Sequence, residues 1–388
     1  MSVTVSRPQN SPTGSGRALA AARLTRSALD NIVLVGVVVL AALAPAALHQ
    51  YQLVVLMSVL IYAIALFSLV VLTGYVGQVS LCQASFMGLG AYLTAAIMGH
   101  YQASYWIAAP IAVILVFLIG VGVGLPALRL KGLTLAIVTL SLALLADYFL
   151  FADVGWLNNN TLGWNLKAPH LFGTPLDNSA TDHSAWLYRV ILAAAVVALV
   201  AVRRLRNGRT GKSWFAMRDA EIAASTSGVP VVRMKLLAFG IAAALAAVAG
   251  ALYALEQGSV SAAPFSFAYS IQLLAIAGIA GIRSLPGSIL GAAVYIALPQ
   301  LLLQFPALAP LTSLLLGAGL IVQVIGAPQG IGGLIDAAET RLFRILTGAR
   351  GASELSQPPS GASGGASDRA TVPAVPGTPA QGGRDATV

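Results

Sequence analysis

Charge is what this sequence has least of. Asp, Glu, Lys and Arg together make up 9% of its 388 residues, while 57% are hydrophobic. A soluble domain carries about 25% charged residues, so a chain this poor in polar cover cannot present a water-compatible surface. Lipid is the solvent that fits. Cysteine is nearly absent as well. Cys82 stands alone, which excludes an intrachain disulfide and leaves the compartment unread from redox chemistry. Its place inside an apolar run reads as a small residue packed between helices. Histidine is scarce: none of His49, His100, His170 and His183 stands at i, i+4 spacing from a carboxylate or a second histidine, so no metal site is indicated. Within residues 31–335 a Gly-x-Ser-x-Gly elbow is also missing, and a membrane-embedded enzyme is left without a catalytic dyad.

What the chain does have is long uncharged runs. Residues 32–48 and 51–128 contain no Asp, Glu, Lys or Arg. A membrane helix needs roughly 20 apolar residues to cross about 30 Å. Alternation over segments of about 10 residues, the mark of a membrane barrel, is absent, and backbone groups in lipid must bond within their own segment. The expectation is an all-α polytopic membrane protein of about ten helices, placed near 31–49, 51–73, 76–99, 105–127, 132–150, 186–202, 235–256, 268–283, 287–304 and 308–326.

The basic residues orient this arrangement. Arg7, Arg17, Arg23 and Arg26 lie in the leader 1–30, which reads as disordered and cytoplasmic. Arg129 and Lys131 follow the fourth span, a cluster from Arg203 to Lys235 follows the sixth, Arg283 follows the eighth, and Arg341, Arg344 and Arg350 follow the tenth. The loop 151–185 carries Asp153, Asp177 and Asp182 against Lys167 and is expected outside. By the positive-inside rule both termini face the cytoplasm. The tail 336–388 turns to Gly, Ser, Ala and Pro from 351 onward and cannot bury enough surface to fold there.

One short stretch imitates a nucleotide site. Residues 208–213 read GRTGKS, close to the phosphate loop G-x-x-x-x-G-K-[ST]. The required first glycine falls on position 206, which is Arg206, and the stretch follows a membrane span instead of a buried strand. Its charge reads as a topology signal. The residues after it, Ala216 to Ser225, are good helix formers, and Gly228-Val229-Pro230 is a stop signal. A short amphipathic helix held between two spans can transmit a push from a partner.

Charge inside the spans would mark an ion-coupled carrier. Asp147 and Glu256 are expected near span ends, at the external interface, which leaves no relay through the middle. The third span offers uncharged polar groups instead, in GYVGQVSLCQASFMGLGAYLTAA. Ser80, Ala84 and Gly88, four apart, would form one small-residue face that admits a neighbouring helix. Gln78, Ser80, Gln83 and Ser85 are candidates for the path of a polar or zwitterionic solute, with interhelical bonding as the alternative. Ala277-x-x-x-Gly281 and Gly287-x-x-x-Gly291 read as further close-packing sites.

Several segments, in order, resemble the branched-chain amino-acid ABC permeases, in particular their LivM-like subunit. They are LTGYVGQVSLCQASFMGLGAYLTA (72–95), LRLKGLTLAIVTLSLA (128–143), FAMRDAEIAASTSGVPVVRMKLLAFGIAAALAAVAGALYAL (215–255), GIAGIRSLPGSILGAAVY (278–295) and PQGIGGL (328–334). The resemblance covers most of 31–335, the permease domain. It implies a multi-pass protein of the bacterial inner membrane that imports branched-chain or related amino acids. It also implies a LivH-like second permease, two cytoplasmic ATPase subunits that bind ATP and Mg, and an external solute-binding protein. This chain itself would hold no cofactor and bind no nucleic acid. The loop 203–234 resembles the family's coupling segment, with Arg218, Asp219, Glu221, Ala224 and Gly228 at the matching positions. Cys82-Gln83 departs from the family's frequent pairing of a small residue with histidine, and permeases of the same group serve urea and short amides. Those remain alternatives, as does an ion-coupled secondary amino-acid carrier.

Overall fold

The computed structural model describes residues 41–303, apart from 46–47, 131, 153, 159–163, 167–168, 172–173, 177 and 179–180. The leader 1–30, the tenth expected span at 308–326 and the tail 336–388 lie outside the described residues, as does most of the first span.

The architecture is helical. After a helical turn at 41–45, α1 (Gln50–Leu69) runs without interruption into a π-helical turn over Val70–Tyr75. Then come α2 (Gln83–Tyr101), α3 (Tyr105–Ala127) and α4 (Leu133–Leu145), the last closing in a second π-helical turn, Ala146–Leu150. Beyond the 151–185 loop lie α5 (Thr181–Asn207), the short α6 (Arg209–Asp219) and α7 (Glu221–Thr226), then α8 (Val231–Gln257), α9 (Phe267–Ala280) and α10 (Leu285–Leu303). Among the described residues, four helices are long and apolar enough to cross a membrane: Gln50–Tyr75, Tyr105–Ala127, Asp182–Asn207 and Val231–Gln257. Shorter apolar helices cover Thr134–Leu150, Phe267–Ala280 and Leu285–Ala297.

Where the sequence carries sharp punctuation, element ends follow it. Pro230 precedes α8, and Gly258 ends it in the left-handed region at φ 65°; a residue without Cβ adopts that conformation at no steric cost. The third span is the main departure from the sequence reading. It does not run from 76. Residues 76–82 are non-helical, and α2 starts only at Gln83. The cause is local: Gly77 takes φ 79°, which a right-handed helix cannot contain.

Short strands fasten the 151–185 loop, an addition to the all-helical expectation. β1 (Trp164–Asn165) pairs antiparallel with β4 (Ser259–Val260), just past α8, in the register Trp164↔Val260. β2 (His170–Leu171) and β3 (Thr174–Pro175) form their own antiparallel pair. His100, at the end of α2, stacks on Trp156, meets Trp164 edge-on and contacts Trp156 O through Nε2 at 3.0 Å.

α8 is the hub, packing on α1, α2 and α3. Its contact face is built of small residues; Ala242, Ala243, Ala246, Ala247 and Gly250 are all buried. Lipid supplies no hydrophobic drive between helices, so close backbone approach through small residues has to hold them. A Cβ on Gly250 would stand 1.8 Å from Met87 O, and one on Gly90 would stand 2.3 Å from Ala247 O. α10 meets α9 the same way: Cβ atoms on Gly287 and Gly291 would lie 2.0 Å from Ala280 O and 2.6 Å from Ala280 Cβ.

These contacts set a stability prediction. Gly250→Leu forces α8 and α2 apart and lowers the melting temperature of the detergent-purified chain, at a cost of about 3 kcal/mol or more for overpacking a tight contact. Gly122→Ala, whose Cβ would meet nothing within 4 Å, does not lower it, since Ala is the better helix former.

Candidate functional site

The break at 76–82 and the helix pair α6–α7 meet at the end of α1. There, Arg218 of α6 donates from Nη1 to Gly74 O. A Cβ on Gly77 would lie 2.9 Å from Arg218 Cγ, and one on Gly74 would lie 2.1 Å from Ile282 O. Tyr75 meets Phe215 edge to face at 5.2 Å between ring centres. Trp214 is fully buried and donates from Nε1 to Met234 O at 3.0 Å, tying α6 to the first turn of α8. Glu221 and Lys235 form an ion pair at 2.7 Å, with the lysine side chain nearly buried. Burial, and secondarily the charge of Arg283, hold the Arg218 guanidinium below its ordinary pKa, with Asp219 opposing.

The stretch expected to couple is two helices, not the single one expected from Ala216 to Ser225. Ala220 takes φ −154° and ψ 92°, so α6 ends and α7 begins on the same residue. Its N–H bonds to Ala216 O, and its carbonyl accepts from Ala224 N. The corner lets both pieces bury a side: Trp214 and Met217 from one, Ala224 from the other. Asp219 is exposed, Ile222 is exposed at 79%, and Gly228 turns the chain at φ 83° with open space around it.

On the other side of the break, α2 begins beside Ser68 of α1, about 10 Å along the helix from Tyr75 at a rise of 1.5 Å per residue. The first N–H groups of any helix have no partner within it, and here Ala84 N donates to Ser270 Oγ of α9 at 3.1 Å. Two residues before the helix, Leu81 N donates to Thr139 Oγ1 of α4 at 3.0 Å. Two hydroxyls from other helices thus cap an interior helix start. The sequence reading did not single out Thr139 or Ser270, because each is an ordinary residue until a third element approaches it.

The four polar candidates surround this start without bonding to one another. Ser80 is fully buried in the break, 3.2 Å from Cys82 Sγ, and therefore does not continue a helical face with Ala84 and Gly88. Ala84 lies buried at the start of α2. Gly88 makes room for aromatic rings, since its Cβ would meet Phe151 Cζ at 2.6 Å and Phe265 Cβ at 2.8 Å. Gln83 Oε1 lies 3.2 Å from Ser68 Oγ, which itself donates to Ala65 O at 2.6 Å. Gln83 Nε2, Ser85 Oγ and Gln78 Oε1 are buried with no hydrogen-bond partner. Turning the Gln83 amide over leaves one of its two polar atoms unpaired either way. Such groups cost about 1–3 kcal/mol each when left so, and a polar solute or water offsets that cost. Ala277 is buried within α9, whereas Gly281 ends that helix at φ 91°.

A family model described as "Branched-chain amino acid transport system / permease component" matches residues 51–324. The chain belongs to this permease family. It is similar to the high-affinity branched-chain amino acid transport system permease protein LivM of Escherichia coli K12, at 32% identity over 320 residues, covering 78% of this chain and 75% of that protein. The LivM protein of Salmonella typhimurium LT2 is 31% identical over the same shares. No solved structure matches. The apolar helices and the family together make this a multi-pass membrane permease.

The hydroxyl caps yield a prediction for the site's architecture. Ser270→Ala leaves the buried Ala84 N–H unpaired and destabilises the purified protein by about 1–3 kcal/mol, read as a lower melting temperature, while Ser270→Thr retains the bond and the stability.

Proposed function

We propose that this chain is a membrane-spanning permease subunit of an ABC importer for branched-chain or related amino acids. The observation that carries the reading is the joint at Gly74–Gly77. It sits between a polar, interrupted helix start suited to an uncharged path and a short two-helix arm whose outer side is exposed. Family membership and similarity to LivM support the substrate class. Uptake proceeds by alternating access: partner ATPases close on ATP, the arm carrying Arg218, Asp219, Glu221, Ala224 and Gly228 moves with them, and the spans reopen on the other side. Gln78, Ser80, Gln83 and Ser85 line the path.

In the working assembly the chain pairs with a LivH-like permease and two ATPase subunits, which hold ATP and Mg, and it receives solute from an external binding protein. It performs no catalysis itself. It lies in the bacterial inner membrane with about ten spans and both termini cytoplasmic, in keeping with its basic loops. The 151–185 loop is then external and the 203–234 loop cytoplasmic.

Reconstitution tests this. In proteoliposomes with the ATPase pair, the second permease and the binding protein, leucine accumulates only when ATP is present; uphill uptake by this chain alone would contradict the reading. Arg218→Ala releases the arm from Gly74 O and lowers ATP-driven uptake at least about tenfold, the equivalent of about 1.4 kcal/mol, at unchanged membrane abundance. Ile222→Asp on the exposed side of α7 weakens co-purification of the ATPases.

A further inference from the structure

Glu256, in the last turn of α8, is not at an open interface as its position near a span end suggests. It is 4% exposed, and one oxygen, Oε1, accepts from Ser58 Oγ of α1 at 2.6 Å. The other, Oε2, is buried with no hydrogen-bond partner, even though the Gln257 amide faces the carboxylate. The residue's backbone carbonyl accepts from Asn178 Nδ2 at 2.9 Å. Because that amide nitrogen is committed, Asn178 Oδ1 is a second buried acceptor without a donor. Asn178 is itself held by Gln50, whose Nε2 donates to the Asn178 backbone carbonyl at 2.5 Å. Tyr62 and Tyr253 lie within Coulombic reach of the carboxylate. Among the described residues no lysine, arginine or histidine pairs with it.

A buried carboxylate is compensated either by a proton or by a positive partner, since an uncompensated charge there is costly, and a cation is the compensation that also uses the open acceptor beside it. Two unpaired acceptors on residues joined by a hydrogen bond, with aromatic residues close by, suit a compact monovalent cation. We propose that Glu256, assisted by Asn178, binds such a cation where the last turn of α8 lies against Ser58, two turns into α1, and against Asn178 of the 151–185 loop. Two sources share this chemistry: the primary ammonium of an amino acid, and a free alkali ion. An ammonium donates up to three hydrogen bonds and accepts none, which matches a pair of acceptors. Filled by substrate, the site would hold an amino acid by its ammonium group where the loop meets the bundle. The cation site stands without the transport reading; only the choice of the amino acid as its occupant rests on it.

The test is the cation-dependent thermal stability of the purified full-length chain, wild type against Glu256→Gln. One arm compares sodium or potassium chloride with choline chloride at equal ionic strength. The other compares leucine with 4-methylpentanoate, its counterpart lacking the amino group. The wild-type melting temperature rises with an alkali ion over choline, or with leucine over 4-methylpentanoate, and whichever arm responds identifies the occupant. Glu256→Gln keeps the shape, removes the charge and abolishes the rise. Should that variant fail to fold, Asn178→Ala decides, requiring at least tenfold more ligand for the same rise. No response in either arm of the wild type would overturn the proposal. So would a wild-type response retained in Glu256→Gln, because the acid would then be a protonated structural group that glutamine replaces. A response in the alkali arm alone, together with failed uptake, leaves the site standing and the transport reading fallen.

Discussion

The structure depends on an interruption. Gly77, turned into the left-handed region, stops the chain from crossing directly from α1 into the next span and leaves α2 to begin at Gln83, inside the bundle. An interior helix start is permissible only where its free N–H groups are satisfied by something other than water. Ser270 and Thr139 do that from two other helices. The caps therefore link α2, α4 and α9 through polar bonds in a bundle whose hub packs through small residues, and they keep uncharged polar groups deep within an apolar protein.

The same interruption meets the arm. The carbonyl of Gly74 accepts from Arg218, Gly77 packs on the aliphatic part of that side chain, and the chain at Ile282 closes on Gly74 from the third side. A larger residue at 74 or 77 would push either the arm or the turn after α9 away. In the proposed cycle, a displacement of α6 would reach the segment that leads into the polar start of α2 through these contacts. Trp214 and the Glu221–Lys235 pair couple the arm equally to the first turn of α8, the hub on which three other helices pack.

Much of this was legible in the residues. Uncharged runs, basic loops and the Pro and Gly stops placed α3, α8, α9 and α10 closely, because those signals are local. Small-residue spacing pointed to Gly287 and Gly291, but it misread Ser80–Ala84–Gly88 as one helical face. The error lay in starting the third span at 76, across Gly77; its positive φ is a backbone property that spacing does not reveal. The π-helical turns at 70–75 and 146–150, the corner at Ala220 and the hydroxyl caps escaped for a related reason. Each depends on what packs against the segment from far along the chain. Glu256 shows the same limit from the side of charge: its sequence position suggested an interface, and only the approach of Ser58 and Asn178 makes it buried.

The central claim is that the arm and the break move as one body. Spin labels at Ile222 and Val79, on the exposed parts of arm and break, and at Tyr101, exposed at the far end of α2, would measure this in the assembled transporter by pulsed electron resonance with and without ATP. The account predicts that the 222–79 distance stays constant while the 79–101 distance changes. A changing 222–79 distance with a fixed 79–101 distance would contradict it.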